Sequence, residues 1–362
     1  MKRREFLKKS AATAAFSSVV PIPAIAQAPA QVSWRMAASW PKNLEIVYGS
    51  ADALCKRVSE LTEGKFKIQL FAAGEIVGGL QVYDAVQAGS VEIGHTLSSF
   101  YIGRRPALAF DTGLPFGLNY RQHNAWMEYG GGRALIEQLC AKDRVFPLTV
   151  GNVGVQMGGF YRKEINTPDD LKGLKIRIGG FGGMVMAKLG AVPQQLPPGD
   201  IYAALERGTI DAAELIGPYD DEKLGLFKVA KYYYTPGWWE GSASVTSPVN
   251  LERWSALPKL FQLALQTAAN EQNLLMMARY DAGNGNALRR MAAGGAVIKT
   301  FSREVLQASY DATVKTLQET ADKDADFKNI YEKWRVFLDQ SDAWFRVAEA
   351  PLDTFRYYYA KR

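Results

Sequence analysis

The chain predicts an α/β fold of two lobes, each a sheet whose strands alternate with helices. Two observations carry this expectation. Short apolar or alternating runs are separated by stretches with apolar side chains every three or four residues, the pattern of βαβ units. The pattern also occurs twice. Gly64-Lys65-Phe66-Lys67-Ile68-Gln69-Leu70 resembles Gly173-Leu174-Lys175-Ile176-Arg177-Ile178, and residues 82–92 resemble residues 201–211 in the same order. This alignment sets Gln69 against Arg177, so a cationic fork belongs to one lobe only.

The elements follow in chain order. Val32 to Ala38 reads as a strand, and Ile46, Ala51, Leu54, Val58 and Leu61 mark a helix over residues 45–61. Gly64 ends that helix, residues 66–71 form a strand, and a Gly-rich loop leads to a helix over 81–88. Gly89 is placed to stop it, with a strand over 91–96 beyond. In the second lobe, Thr167-Pro168-Asp169-Asp170 sets a cap, a first-turn proline and acids at a helix start. Gly173 releases the chain into the strand of Arg177. A helix over 181–189, a strand and loop over 193–198, a helix from Asp200 to Gly208 and a strand over 210–215 complete that lobe. From Glu252 the chain turns helical, with a short strand at 297–300 and a helix over 305–320. An aromatic tail follows: Tyr331, Trp334, Phe337, Trp344, Phe345, Phe355 and Tyr357-Tyr358-Tyr359. The expected borders are 1–26 for a leader, 31–150 with part of 245–330 for the first lobe, 151–244 for the second and 331–362 for the tail.

The 362 residues are ample for two lobes, and 48% hydrophobic with 22% charged residues is the composition of a globular protein. Five cations and one acid in the first nine residues supply four of the six net positive charges. The remainder is nearly balanced, so a nucleic-acid partner is not expected. The same segment reads as a leader: a charged start, a modest apolar run to Val20, and Ala24-Ile25-Ala26 as a cleavage pattern. Arg3-Arg4-Glu5-Phe6-Leu7-Lys8 fits a twin-arginine signal, so the mature protein is expected outside the cytoplasm. There Cys55 and Cys140 are compatible with one disulfide or with two buried thiols.

Few chemical motifs survive a scan. There is no P-loop, G-x-S-x-G or H-E-x-x-H, and two histidines (His95, His123) leave little room for histidine catalysis or zinc. Asp322-Lys323-Asp324-Ala325-Asp326 lacks the glycine and glutamate of a calcium loop. What remains is residues 174–240. Alternation along the strand turns Lys175 and Arg177 away from the face of Leu174, Ile176 and Ile178, and an arginine on a rigid strand suits a carboxylate. Glu214 follows two alanines and Glu240 follows two tryptophans, so each acid needs a partner, either a basic side chain or a metal.

Several stretches, taken together, resemble one family. They are the leader, Ala37-Ala38-Ser39-Trp40-Pro41, the run from Thr167 to Arg177, Glu214-Leu215-Ile216-Gly217-Pro218-Tyr219-Asp220-Asp221, and Tyr232 to Glu240. The family is the extracytoplasmic solute-binding subunits of TRAP transporters (DctP-like), in particular the branch that takes 2-oxo acids and lactate with a bound cation. The resemblance spans the mature chain. It implies the two-lobed periplasmic binding protein fold, with hinge strands and a long connecting helix, and a TRAP permease as partner. It places Arg177 on the substrate carboxylate, with Tyr101 and Asn152 completing the polar contacts. A sodium or calcium ion would be held by Gln156, Glu214, Glu240 and the carbonyl of Leu215; no organic cofactor is implied. Relatives often carry tryptophan where Leu215 stands, so a larger or aromatic acid is an alternative ligand. The aromatic tail is expected either in the core or in a homodimer contact. A reading from another class is a secreted metal-assisted lyase or isomerase with Glu214 as base.

Overall fold

The structure, a computed structural model, describes residues 31–360; the leader lies outside the described residues. Two sheets carry the fold. The first has the order β2-β1-β3-β10-β4, from β1 (Val32–Ala38), β2 (Phe66–Phe71), β3 (Ile93–His95), β4 (Val145–Asn152) and β10 (Ser244–Asn250). The second has the order β11-β9-β5-β8-β6-β7, from β5 (Phe160–Tyr161), β6 (Lys175–Arg177), β7 (Val192–Gln194), β8 (Ala212–Ala213), β9 (Tyr232–Thr235) and β11 (Val297–Thr300). Strand β10 thus returns to the first sheet, while β11 joins the second.

Each sheet has the same parallel nucleus. In the first, β1 is parallel to β2 on one side and β3 on the other. In the second, β6 is parallel to β7 and β8. This corrects the sequence alignment by one strand, because the counterpart of β6 is β1 rather than β2. The local likeness arose because β2 and β6 both follow a glycine in the left-handed region, Gly64 at φ +75° and Gly173 at φ +72°. The second half of the repeat holds. Helix α2 (Val82–Gln87) leads through Gly89 to β3 as a helix over Ile201–Glu206 leads through Gly208 to β8.

On the first side, β1 alternates at its start, with Trp34 and Met36 buried and Arg35 exposed, and ends wholly buried at Ala37 and Ala38. Helix α1 (Val47–Leu61) packs on β2 and buries Val47, Ala51, Leu54 and Val58. Helices α3 (Ala109–Thr112), α4 (Tyr120–Tyr129) and α5 (Gly132–Ala141) follow, α3 against β10 and α5 against β4, with a full capping box of Asn119 and Gln122 starting α4. On the second side lie α6 (Gly180–Lys188), α7 (the Ile201–Glu206 helix) and α8 (Pro218–Leu224). After α9 (Leu251–Ala256) comes α10 (Lys259–Ala293), a single helix of 35 residues and the long connecting helix that the resemblance implied. Gly283 within it lets α8 approach closely, since a Cβ there would stand 2.8 Å from the Tyr219 ring. Helix α10 packs on β4 and α1 of the first side and on α8 of the second.

Helices α11 (Arg303–Lys323) and α12 (Ala325–Val347) end the body, followed by α13 (Glu349–Thr354). Phe327, Tyr331 and Trp334 are core, gathered round Phe110. Beyond them Trp344, Phe355 and Tyr357 to Tyr359 are exposed. Cys55 and Cys140 are free and buried. Among the described residues, no helix is long and apolar enough to cross a membrane.

Candidate ligand and cation site

Two stretches of chain connect the sheets and run beside each other. Residues 153–159 lead from β4 to β5, and residues 236–243 lead from β9 back to β10. Val153 N donates to Ala243 O (3.0 Å), Gln156 N to Glu240 O (3.3 Å) and Gly237 N to Gln156 O (3.1 Å), so Gln156 and Glu240 are held together. Glycine is required at 237, where a Cβ would fall 2.4 Å from Gln156 O.

Against these connections, the carboxyl ends of β6 and β8 present Arg177 and Glu214, as open α/β sheets present their sites. Arg177 is 1% exposed and fully engaged on one edge. Its Nη1 donates to Glu214 Oε1 (2.7 Å) and to Glu214 O (2.6 Å), and its Nε to Leu196 O (3.2 Å). Gly179 N also donates to Glu214 Oε1 (3.3 Å). The Nη2 edge makes no protein hydrogen bond among the described residues. The expected alternation holds: Ile176 faces the core, Lys175 is exposed, and Arg177 points into the cavity rather than to water. Glu214 leaves the ladder sooner than expected, since β8 spans only Ala212–Ala213.

The cavity is small, about 20 Å³ inside its walls. Trp40, Leu97, Ser99 and Phe100 line it from the first lobe, and Arg177, Gly179, Glu214, Leu215 and Ile216 from the second. Gln156, Trp239 and Glu240 line it from the connections. Five of the seven expected residues therefore meet here. Tyr101 and Asn152 are not on its wall. The Tyr101 hydroxyl accepts from Tyr83 N (3.2 Å) and sits 3.2 Å from Thr96 Oγ1, while Asn152 bonds Ser242 Oγ and Gly154 N (2.8 Å each). Their polar ends are used within the first lobe and its connection. The sequence reading missed Trp40, Ser99 and Phe100 as wall residues. The position of Trp40 just past β1, and of Ser99 and Phe100 just past β3, was the available signal.

The electrostatics are unbalanced. Two carboxylates share one guanidinium, leaving a net negative charge when both ionise. Burial raises the pKa of Glu214, opposed by Arg177 and the Gly179 amide. Burial and then repulsion from Glu214 hold the Glu240 carboxyl well above the ordinary carboxylate range, with Arg177 only partly opposing. The Gln156 Oε1 atom is buried without a hydrogen-bond donor, and the Leu215 carbonyl takes no backbone hydrogen bond among the described residues. An unpaired buried acceptor is costly, and these oxygens beside excess negative charge fit a hard cation such as sodium or calcium.

Comparison with known proteins gives concordant results. Residues 36–324 match the family model "Bacterial extracellular solute-binding protein, family 7". A Nostoc protein described as a monocarboxylate 2-oxoacid-binding periplasmic protein is 50% identical over 360 residues, covering 98% of this chain and 99% of that protein. Among solved structures, a TRAP transporter solute-binding protein of Bordetella bronchiseptica is 57% identical with a TM-score of 0.90, covering 91% of this chain and 98% of its own. It is a mixed-occupancy dimer with calcium and picolinate in one active site. A Pseudoalteromonas atlantica TRAP periplasmic solute-binding protein, with sodium and pyruvate bound, is 36% identical with a TM-score of 0.87 (90% and 99% covered).

Proposed function

Because this chain belongs to the bacterial extracellular solute-binding proteins of family 7, we propose that it captures a small 2-oxo monocarboxylate together with a calcium or sodium ion and hands it to a TRAP membrane permease. The observation that carries the reading is the cavity itself, whose wall brings together the Arg177–Glu214 ion pair, Glu240 and the unpartnered Gln156 oxygen. In this reading the Arg177 Nη2 edge takes the ligand carboxylate, where exclusion of water strengthens a charge-assisted bond. Gln156 Oε1, the carboxylates of Glu214 and Glu240 and the Leu215 carbonyl would hold the cation. It would supply the positive charge that the two acids lack and a contact for the ligand's second donor. Trp40, Phe100, Leu215 and Trp239 shape the apolar end and exclude water.

A second ligand class is supported by Leu215, a modest side chain on the wall, and by the picolinate in the Bordetella neighbour. Picolinate and a 2-oxo acid both set a second donor next to a carboxylate, so one cation and one arginine serve either. We read the protein as a binder rather than a catalyst, with the two lobes divided near residues 152 and 244. No histidine lines the cavity: His95 accepts from Trp40 Nε1 (2.9 Å) and His123 packs on Trp126. Its place is extracytoplasmic, and the twin-arginine start supports export after folding. The exposed aromatics from Trp344 to Tyr359 support pairing of two copies through the tail.

The test is thermal-shift and calorimetric titration of calcium-loaded protein with pyruvate, lactate and picolinate, repeated in EDTA with and without sodium. A binder held at about a hundred times its Kd should gain about 2.7 kcal/mol of stability. Cation-dependent binding of at least one acid is expected. Binding of none of them would overturn the reading, and consumption of the acid by the holoprotein would replace it with an enzyme.

A further inference from the structure

Resting on that reading, we propose that Gln195 and Glu45 are positioning residues that latch the two lobes together and so set how slowly the ligand leaves. Neither side chain lines the cavity. Gln195 directly follows β7 in the second lobe, and its Nε2 donates to the carbonyl of Phe100 in the first lobe (3.0 Å). Both ends are tied to the site. Phe100 forms part of the cavity wall within the 3₁₀ turn Ser98–Tyr101. The residue after Gln195, Leu196, gives its carbonyl to Arg177 Nε (3.2 Å), and the residue before it, Gln194, accepts from Ile178 N (3.2 Å).

Glu45 lies between β1 and α1 of the first lobe and meets α8 of the second. Tyr219 Oη donates to Glu45 Oε2 and Lys223 Nζ to Glu45 Oε1, both at 2.9 Å. Helix α8 starts four residues after Glu214, and its Tyr219 amide is held by Asn284 Oδ1 of α10 (3.0 Å). Each contact has one partner on each lobe, so it exists only while the lobes are together. A ligand enters before these bonds form and leaves after they break. Their strength therefore belongs in koff and not in kon, the usual place for affinity differences between related complexes.

Trp40 and Trp239 line the cavity, so stopped-flow tryptophan fluorescence with pyruvate and with picolinate, in excess calcium, reads both rates. Gln195→Ala should raise koff by about three- to tenfold, the range of one neutral hydrogen bond, with kon unchanged. Gln195→Glu, of the same shape but without the donor, should do the same. Glu45→Ala should raise koff by about two- to fivefold, since Glu45 and Lys223 are part exposed. It should also abolish the rise of koff with salt expected of the wild type. Wild-type binding with unaltered koff in these variants, or an effect on kon instead, overturns the latch alone. Failure of the wild type to bind either acid removes the functional reading and the latch with it.

Discussion

The two parallel nuclei, β2-β1-β3 and β7-β6-β8, carry the same scaffold and opposite chemistry. In the first, Glu92 Oε2 accepts from Arg35 N (2.7 Å) midway along the central strand. In the second, Asp211 Oδ2 accepts from Lys175 N (3.1 Å) at the matching point. From that shared clamp the registers run in step, with Met36 opposite Ile93 and Ile176 opposite Ala212. One residue on, Ala37 meets Gly94 where Arg177 meets Ala213. One residue further, His95 stands where the second lobe has Glu214. One sheet closes its strand ends with small side chains and a neutral ring that accepts from Trp40; the other fills the same places with an ion pair. The first lobe therefore contributes a wall, and the second contributes the charges.

Removing Arg177 breaks this difference most severely. Arg177→Ala should reduce affinity for the acid by at least about a hundredfold, the loss of a hydrogen bond to a charged group in a dry site. It should also leave Glu214 buried without its cation, a loss of about 3–5 kcal/mol where the carboxylate stays ionised. Arg177→Lys keeps the charge without the fork and should lose about tenfold in affinity, with the fold retained. Calorimetry and melting curves at pH 7 check both.

Glu240 comes next. A carboxyl held well above its ordinary value is protonated in both folded and unfolded chains in acid, where its contribution is fully present. As pH rises through the elevated folded value, ionisation inside the protein removes stability. Ligand-free protein should thus lose stability from about pH 4.5 upward while cation affinity grows over the same window. Glu240→Gln should reverse both trends at pH 8, with a melting temperature about 2–4 °C above that of ligand-free wild type and little response to calcium. A lower melting temperature would show that Glu240 already has a partner charge.

His95, the first-lobe counterpart of Glu214, has the opposite sign. Burial pushes its pKa down to about 3, and Trp40 Nε1 on Nδ1 leaves the proton on Nε2. The neutral ring favours the fold above its ordinary pKa of about 6.5, and that contribution is lost as pH falls toward the depressed value. His95→Leu should cost about 1–3 kcal/mol at pH 7 by stranding the Trp40 donor, yet flatten the acid limb. Urea titrations from pH 7 to pH 4 measure the slope.

Local signals were legible and nonlocal ones were not. The strands 32–38 and 66–71 followed from alternation, and the start of residues 168–171 followed from Thr167, Pro168 and Asp170, whose carboxylate takes the Thr167 amide. Arg177 was legible because a charged residue alternated with Ile176 on a strand. The partner of β6 was not, because strand order depends on contacts far apart in sequence, whereas Gly64 and Gly173 produce the same local text. Tyr101 and Asn152 fell outside the cavity because donors and acceptors of the first lobe and of the connecting stretches already satisfy them. The long helix α10 was implied by the family resemblance, while its length was not legible from the local apolar pattern around Gly283 and Gly285.

The smallest effect concerns the thiols, which occur only on the first side of the comparison. Cys55 sits in α1 beside Met36 Sδ, and Cys140 is in the last turn of α5. Burial pushes the Cys55 thiol up to about 12 and the Cys140 thiol higher than its ordinary value. A thiol that does not ionise is a poor nucleophile and a poor partner for exchange. Native protein should therefore react with a thiol reagent only at the rate of unfolding, and reductant should leave its melting temperature unchanged, within about 1 °C on the scale of ordinary stability shifts. Two fast-reacting equivalents would place both cysteines in a segment that opens without global unfolding. A fall in melting temperature with reductant would instead require a disulfide between α1 and α5, and the wall that the first lobe offers the ligand would then be covalently braced.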